Sequence, residues 1–239
     1  MRNRVLALGA AAFIGIVAAC SDSSGPGGAS NVALLINDNF VVYDTSVNDA
    51  EASEMEFTLV DLGVTVTQVT DVDSASLAAD LANSQALVIP ENGGAFTFVD
   101  SLTTGALSLI RNFVETRGGI LIVIPDASGI VLLDSLFGYT IGSGTSGGPY
   151  LLDPAEAGGT AFAGGPAQVF DNDGTYITAD STYPAAARLV YRDSAEVAVA
   201  VIPQGAGAVV VLAWDWFDAV PHGGQNGNWP EILRRALRS

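Results

Sequence analysis

Four short aliphatic runs constrain this chain more than any other feature: Val32–Ile36 (VALLI), Ala86–Pro90 (ALVIP), Ile120–Ile124 (ILIVI) and Val209–Leu212 (VVVL). None alternates apolar with polar residues, so strands formed from them must be buried on both sides. The intervals between the first three carry helical periodicity. Residues 49–62 set Met55, Leu59 and Leu62 on one face with acids opposite, and Gly63 ends the helix. Ser74–Asn83 turns Leu77 and Leu81 inward. Residues 99–117 form the longest helix, with Leu102, Leu109, Ile110 and Phe113 as its apolar face, stopped by Gly118-Gly119. Val64–Val69 (VTVTQV) is β-branched and alternating, which predicts a strand. Strands alternating with helices, the strands nearly all apolar, predict a parallel sheet covered on both faces.

After about Leu136 the pattern changes. Residues 142–165 hold eight glycines and little periodicity. Short β segments follow at Ala167–Phe170, Thr175–Thr178, Ala187–Tyr191, Val197–Ile202 and Val209–Trp214. Asn172-Asp173-Gly174 predicts one tight hairpin and Gln204-Gly205 a second. The last helix is expected at Pro230–Leu237, with Asn228 as its N-cap. There is no internal repeat.

The first 19 residues have a different character. Arg2 and Arg4 precede a 15-residue apolar run, Val5–Ala19. A membrane span needs about 20 residues, whereas this length suits the apolar core of a secretory signal. The run ends in Val17-Ala18-Ala19-Cys20, which resembles the lipobox of bacterial lipoproteins. The resemblance implies cleavage before Cys20 and a diacylglycerol on its thiol; such a two-chain anchor holds a protein stably on a membrane. Ser21 rather than Asp after the cysteine implies, by the same resemblance, the outer membrane. Residues 20–30 are then the lipidated cysteine and a flexible tether of small polar residues, and residues 31–239 are one domain. Cys20 is the only cysteine. Once lipidated, it leaves no thiol for a nucleophile, a disulfide or a thiolate metal site.

Beyond residue 19 there are 7 arginines, no lysine and 26 Asp and Glu. So acidic a surface repels nucleic acid and anionic lipid head groups, which argues against both as partners. Charged residues make up only 15% of the chain and hydrophobic residues 49%, the balance of a folded domain.

Two stretches, Ile110–Gly129 (IRNFVETRGGILIVIPDASG) and Val197–Asp218 (VAVAVIPQGAGAVVVLAWDWFD), resemble the class I glutamine amidotransferase-like superfamily, in particular its ThuA-like branch. The first matches the helix, Gly-Gly, strand and sharp turn of the family's elbow. The second matches the hairpin before its last helix. The resemblance implies a flavodoxin-like three-layer α/β sandwich, with a mostly parallel sheet and a C-terminal β-hairpin extension. Amidotransferases of this superfamily carry a cysteine at the elbow and a histidine after a late strand, and the pair makes a thiolate nucleophile. Here the elbow reads Pro125-Asp126-Ala127-Ser128-Gly129 and has no cysteine. Ser128 is a substitute nucleophile only if His222, the lone histidine, reaches it. The weightier reading is that Ser128 caps the following helix.

In open α/β sheets ligands bind beyond the carboxyl ends of the strands. Those ends carry Asp38, Glu91, Asp126, Asp215 and Asp218. Carboxylates converging there would favour a hard oxygen site for Ca²⁺ or Mg²⁺, but solvated loop acids are the stronger reading, and no metal or other cofactor is assigned. The stretch Val211–Leu233 holds all three tryptophans, Trp214, Trp216 and Trp229. Trp214 and Trp216 should share one face of a strand and staple the last helix to the sheet. The competing reading has an exposed Trp214 gripping a sugar ring. The expectation for function is a lipid-anchored envelope protein with a degenerate amidotransferase-like domain, a binding or structural module for a glycan, peptide or protein partner without catalysis. The alternative is a hydrolase using Asp126 and His222, with or without a divalent cation.

Overall fold

In the computed structural model, the described residues are 28–44, 50–93, 98–145, 147–170, 174–216 and 226–239. Cys20, Asp218 and His222 lie outside them, as do the signal-like segment and Asn172-Asp173 of the first expected hairpin.

The aliphatic runs pair side by side. Strands β1 (Asn31–Leu35), β2 (Thr65–Val69), β3 (Ala86–Ile89) and β4 (Ile120–Val123) are joined by parallel pairings in the order β2-β1-β3-β4. The next strand beside β4 comes from the far end of the chain: β11 (Gly207–Leu212), also parallel. Beyond it the sheet turns antiparallel through β10 (Glu196–Gln204), β9 (Arg188–Asp193), β6 (Tyr150–Leu152) and β7 (Gln168–Val169). Two short strands, β5 (Ser143–Thr145) and β8 (Thr175–Thr178), branch off at the start of β10 and complete an 11-stranded sheet. The expectation of a mostly parallel sheet thus holds only for five strands, and the glycine-rich half supplies an antiparallel extension. The β10–β11 hairpin forms at the expected Gln204-Gly205, where Gly205 takes φ +62°.

The other expected hairpin falls partly outside the described residues, and the described strands on its two sides do not pair with each other. β7 pairs with β6, while β8 pairs with β5 and β10. Gly174 serves a different purpose: a Cβ there would come within 3.2 Å of the Ala213 main chain and of Asp215 N. The glycine lets β8 pass against the end of β11.

Alternate residues of the parallel strands feed two separate cores. Leu35, Leu87, Leu121, Val123, Val209 and Val211 pack with helices α2 (Ser74–Leu81), α4 (Thr104–Glu115) and α5 (Ala127–Phe137). Val32, Leu34, Val88, Ile122, Val210 and Leu212 pack with α1 (Glu51–Asp61) and α7 (Trp229–Ala236). The central strands are buried on both faces for that reason. The short helices α3 (Phe98–Ser101) and α6 (Pro154–Ala157) complete seven among the described residues. None of the seven is long and apolar enough to cross a membrane.

Two helix expectations need correction. The helix foreseen over 99–117 is broken at Leu102–Thr103, because the Thr103 hydroxyl accepts from Ala106 N–H at 3.1 Å and starts a new helix there. Asn228 occupies the cap position of α7, yet its side chain makes no cap bond. Its amide donates instead to Gln168 O, 3.2 Å away, tying α7 to β7.

Candidate functional site

The carboxyl ends of β1, β3, β4 and β11 lie along one edge of the parallel half, and the segments leaving them carry the acids picked out above. The elbow after β4 is the best defined of these segments. Asp126 has an extended backbone, and α5 begins at the next residue. Its carboxylate therefore reaches forward and accepts the Gly129 N–H, with Ser128 N–H and Asn92 N–H as further donors. The cap is Asp126 and not Ser128, which is buried in the first turn of α5. A helix beginning two residues earlier than a Ser128 cap requires moves the capping oxygen from the serine to the aspartate. Burial is the largest influence on the Asp126 carboxyl and raises its pKa, with the backbone donors opposing it.

The Asn92 contact joins the loop after β3 to the elbow after β4. Gly93 continues toward α1: a Cβ on it would meet Val42 Cγ2 at 2.9 Å and lie 3.9 Å from Glu51 Oε2. Gly129 is equally constrained. A Cβ there would come 2.8 Å from Val123 Cγ1 and 2.9 Å from Ile124 O, so α5 can approach β4 this closely only with glycine. The loop and the elbow form a compact ledge on which Glu91, Asn92 and Asp126 are half-buried, while Gly93 and Ala127 are exposed.

After β11 the chain enters the tryptophan corner. Trp214 and Trp216 lie in the same core, as strand alternation requires, and Trp229 joins them from α7. Trp214 stacks on Trp229 with ring centroids 5.3 Å apart and planes at 21°. Trp214 is only 3% exposed. It offers no free ring face, so the sugar-stacking reading of Trp214 is corrected: its partner is another tryptophan. Asp215, between the two, is half-buried.

Beneath this corner runs a buried polar chain that sequence reasoning missed. Trp214 Nε1 donates to Asn226 Oδ1 at 3.0 Å, and Asn226 Nδ2 donates to Glu54 Oε1 at 2.8 Å. Glu54 and Asn226 are fully buried, and Glu51 nearly so. The acids of α1 are therefore not all opposite its apolar face, as expected. A signal was present: Glu51 lies one turn before Met55, and Glu54 one turn before the buried Thr58. Both acids sit in the first turn of α1, where the helix dipole favours negative charge.

Asp38 stands apart. It is exposed in the turn after β1, where Asn37 accepts from Asn39 N–H at 2.9 Å and donates to Thr70 O at 2.7 Å. Its field reaches Tyr43, whose hydroxyl is bonded to Glu56 and raised to about 12 by that bond first and by burial second. Among the described residues no group of three or more His, Cys, Asp or Glu is arranged to hold a metal. The edge thus brings Asp126 together with the Asn92 main chain, and Trp214 together with Asn226 and Glu54. On this edge lies the ledge of Glu91–Gly93 and Asp126–Ala127, exposed at Gly93 and Ala127.

No family model matches the chain, and no curated protein matches its sequence. Solved structures do share its fold. A protein described as ThuA-like from Bacteroides uniformis superposes with a TM-score of 0.55 at 10% identity, covering 87% of this chain and 89% of that one. Two proteins of Salmonella typhimurium described as cytoplasmic superpose with TM-scores of 0.51 and 0.54, each at 12% identity, over 87% of this chain and 98% of theirs. At such identities the likeness is one of fold: the chain has a mixed α/β architecture similar to that of a ThuA-like protein.

Proposed function

We propose that this protein is a lipid-anchored lipoprotein of the bacterial cell envelope, held at the outer membrane through Cys20. Its domain is a degenerate ThuA-like member of the class I glutamine amidotransferase-like superfamily. The order β2-β1-β3-β4-β11 of the parallel half supports a flavodoxin-like layering. The domain binds a peptide, protein or glycan at its carboxyl edge and does not turn it over.

One observation carries the non-catalytic reading. The elbow that would display a nucleophile displays Asp126 instead, with its carboxylate spent on the backbone N–H groups of Ser128, Gly129 and Asn92. Ser128 is buried and carries no free edge toward a substrate. The ledge is lined by carboxylates and main-chain amides, groups that recognise hydrogen-bonding ligands. With the tryptophans packed on each other, a glycan would be held by polar contacts and not by ring stacking.

The test uses the full chain extracted from membranes. Muropeptides, neutral oligosaccharides and short peptides are added while hydrogen exchange is followed, and protection is expected at residues 91–93 and 126–129. In parallel, amide, ester and glycoside substrates are screened. The raised carboxyl of Asp126 favours the competing hydrolase reading, since a buried acid is a usable proton donor. Turnover that disappears in Asp126→Ala or His222→Ala would establish that reading and end the binding one. For the anchor, the mass of the N-terminal peptide should show a diacylated Cys20, and Cys20→Ala should leave the membrane fraction.

A further inference from the structure

The start of the folded domain is pinned to one place. Ala29 N–H donates to Leu237 O at 2.7 Å, just past α7, and β1 begins two residues later. This is the amino edge of the parallel sheet, opposite the ledge. Beside it is a depression of about 240 Å³, formed by the main chain at Gly28–Ser30 with Leu62, Val64, Leu237, Arg234 and Arg238. No carboxylate lines it. Both arginines are exposed; Arg234 is paired with Glu231, and Arg238 has no acidic partner among the described residues. Arg117 stands on the same edge across the sheet, held by the carbonyls of Leu81 and Ala82 at 3.0 and 3.1 Å. Of the 7 arginines after residue 19, this edge carries Arg117, Arg234 and Arg238, beside the acids Asp61 and Glu115 that end α1 and α4.

We infer that this amino edge is the membrane-facing surface, with Arg234 and Arg238 engaging phospholipid phosphates; the inference rests on the lipid anchor at Cys20 proposed above. Seven residues separate Cys20 from Gly28. Fully stretched, they reach about 28 Å. A domain of this size has a radius of gyration of roughly 17 Å. The tether is therefore shorter than the domain is wide, and it enters at the arginine-bearing edge. The acidic remainder of the molecule is repelled by an anionic bilayer, while guanidinium groups pair with phosphate oxygens. Both forces turn the molecule the same way. Net charge alone argues against anionic lipid as a partner, but within a Debye length, about 8 Å at physiological salt, the nearest charges decide. The ledge bearing Glu91 and Asp126 then points away from the bilayer, open to envelope ligands.

The three tryptophans provide the measurement, because all lie near the carboxyl edge: Trp214 follows β11, and Trp216 and Trp229 pack with it in one core. The full lipidated chain is reconstituted in vesicles of phosphatidylethanolamine and phosphatidylglycerol carrying a nitroxide at the headgroup. A Thr65→Trp variant places a reporter at the exposed start of β2, on the amino edge. The native tryptophans should escape quenching, and the Thr65→Trp reporter should be quenched at least about twofold more on these vesicles than on phosphatidylcholine. Adding Arg238→Glu, which disturbs no ion pair among the described residues, or Arg234→Glu with Arg238→Glu, should remove that difference. A lipidated, vesicle-bound chain whose native tryptophans are quenched as strongly as the reporter overturns the orientation alone. So does a reporter indifferent to lipid charge and to Arg238→Glu. A chain purified from membranes whose Cys20 carries no lipid overturns the anchor, and the orientation with it.

Discussion

Asn226 and Glu54 are 172 residues apart in the chain and meet at 2.8 Å in a fully buried hydrogen bond. The amide nitrogen serves the carboxylate of α1, and the amide oxygen serves Trp214 Nε1 at 3.0 Å. One small side chain thus ties the first helix, the end of the central strand and the approach to the last helix. Asn226→Ala removes a donor and an acceptor from dry surroundings, which should cost about 2–5 kcal/mol. Asn226→Asp should be nearly as harmful, since it sets a carboxylate against Glu54. Urea denaturation of the three proteins at neutral pH measures both.

Trp214 and Trp216 differ in one respect. Trp214 Nε1 is bonded, while the buried Trp216 Nε1 has no hydrogen-bond partner among the described residues. Replacement by phenylalanine removes similar volume at each site. Trp214→Phe should therefore be more destabilising than Trp216→Phe by about 1 kcal/mol, the worth of a hydrogen bond whose acceptor is left unpaired. Parallel denaturation curves give the difference directly.

Asp126 has a pH signature opposite to that of a salt-bridged carboxylate. Burial raises its carboxyl above the ordinary value. Between about pH 4, where the unfolded chain titrates, and the higher folded value, the native state binds more protons than the unfolded one. The contribution of this group to stability is therefore greatest at and below about pH 4, declines as pH rises through the folded value, and is flat above it. Asp126→Asn keeps a capping oxygen but cannot titrate. The stability of the wild type relative to Asp126→Asn should fall between about pH 4 and the folded value, then level off. At pH 7, Asp126→Ala should cost about 0.5–2 kcal/mol through loss of the cap. Unfolding free energies measured across that pH range check both statements.

Gly207 opens β11, and a Cβ there would lie 2.2 Å from Gly119 O and 2.7 Å from Val114 O. Both are main-chain atoms at the end of α4 and the start of β4, with no rotamer to change. Gly207→Ala should cost about 3 kcal/mol or more. Gly138→Ala, where φ is +70° but nothing lies within 4 Å, should cost only the backbone strain, of order 1 kcal/mol. A comparison of melting temperatures separates crowding from conformational strain.

The parallel half was legible in the sequence because burial on both faces leaves runs such as ILIV with no polar interruption. The antiparallel half was less so. Its strands β5 and β6 have three residues each, too few to show alternation among the glycines around them. Gly174 shows why turn chemistry can mislead: a glycine required for close approach to Ala213 carries the same letter as one required for a tight turn. At the candidate edge, Asp126 was legible because it follows a strand. Asn226 and Glu54 were not, because their importance comes from meeting each other, and nothing local in either segment announces a partner so far along the chain.

The placement of β11 bears on how this molecule comes to be folded. Its neighbour β4 ends at Val123, and β11 begins only at Gly207. Until synthesis has delivered that late strand, β4 has an open flank in the middle of the future sheet, and neither apolar core can close. Contacts that join such distant segments form slowly. A ribosome-bound or truncated chain ending before residue 207 should accordingly be a substrate for proteases and chaperones, and completion of the last thirty residues should act as the commitment step for the entire domain.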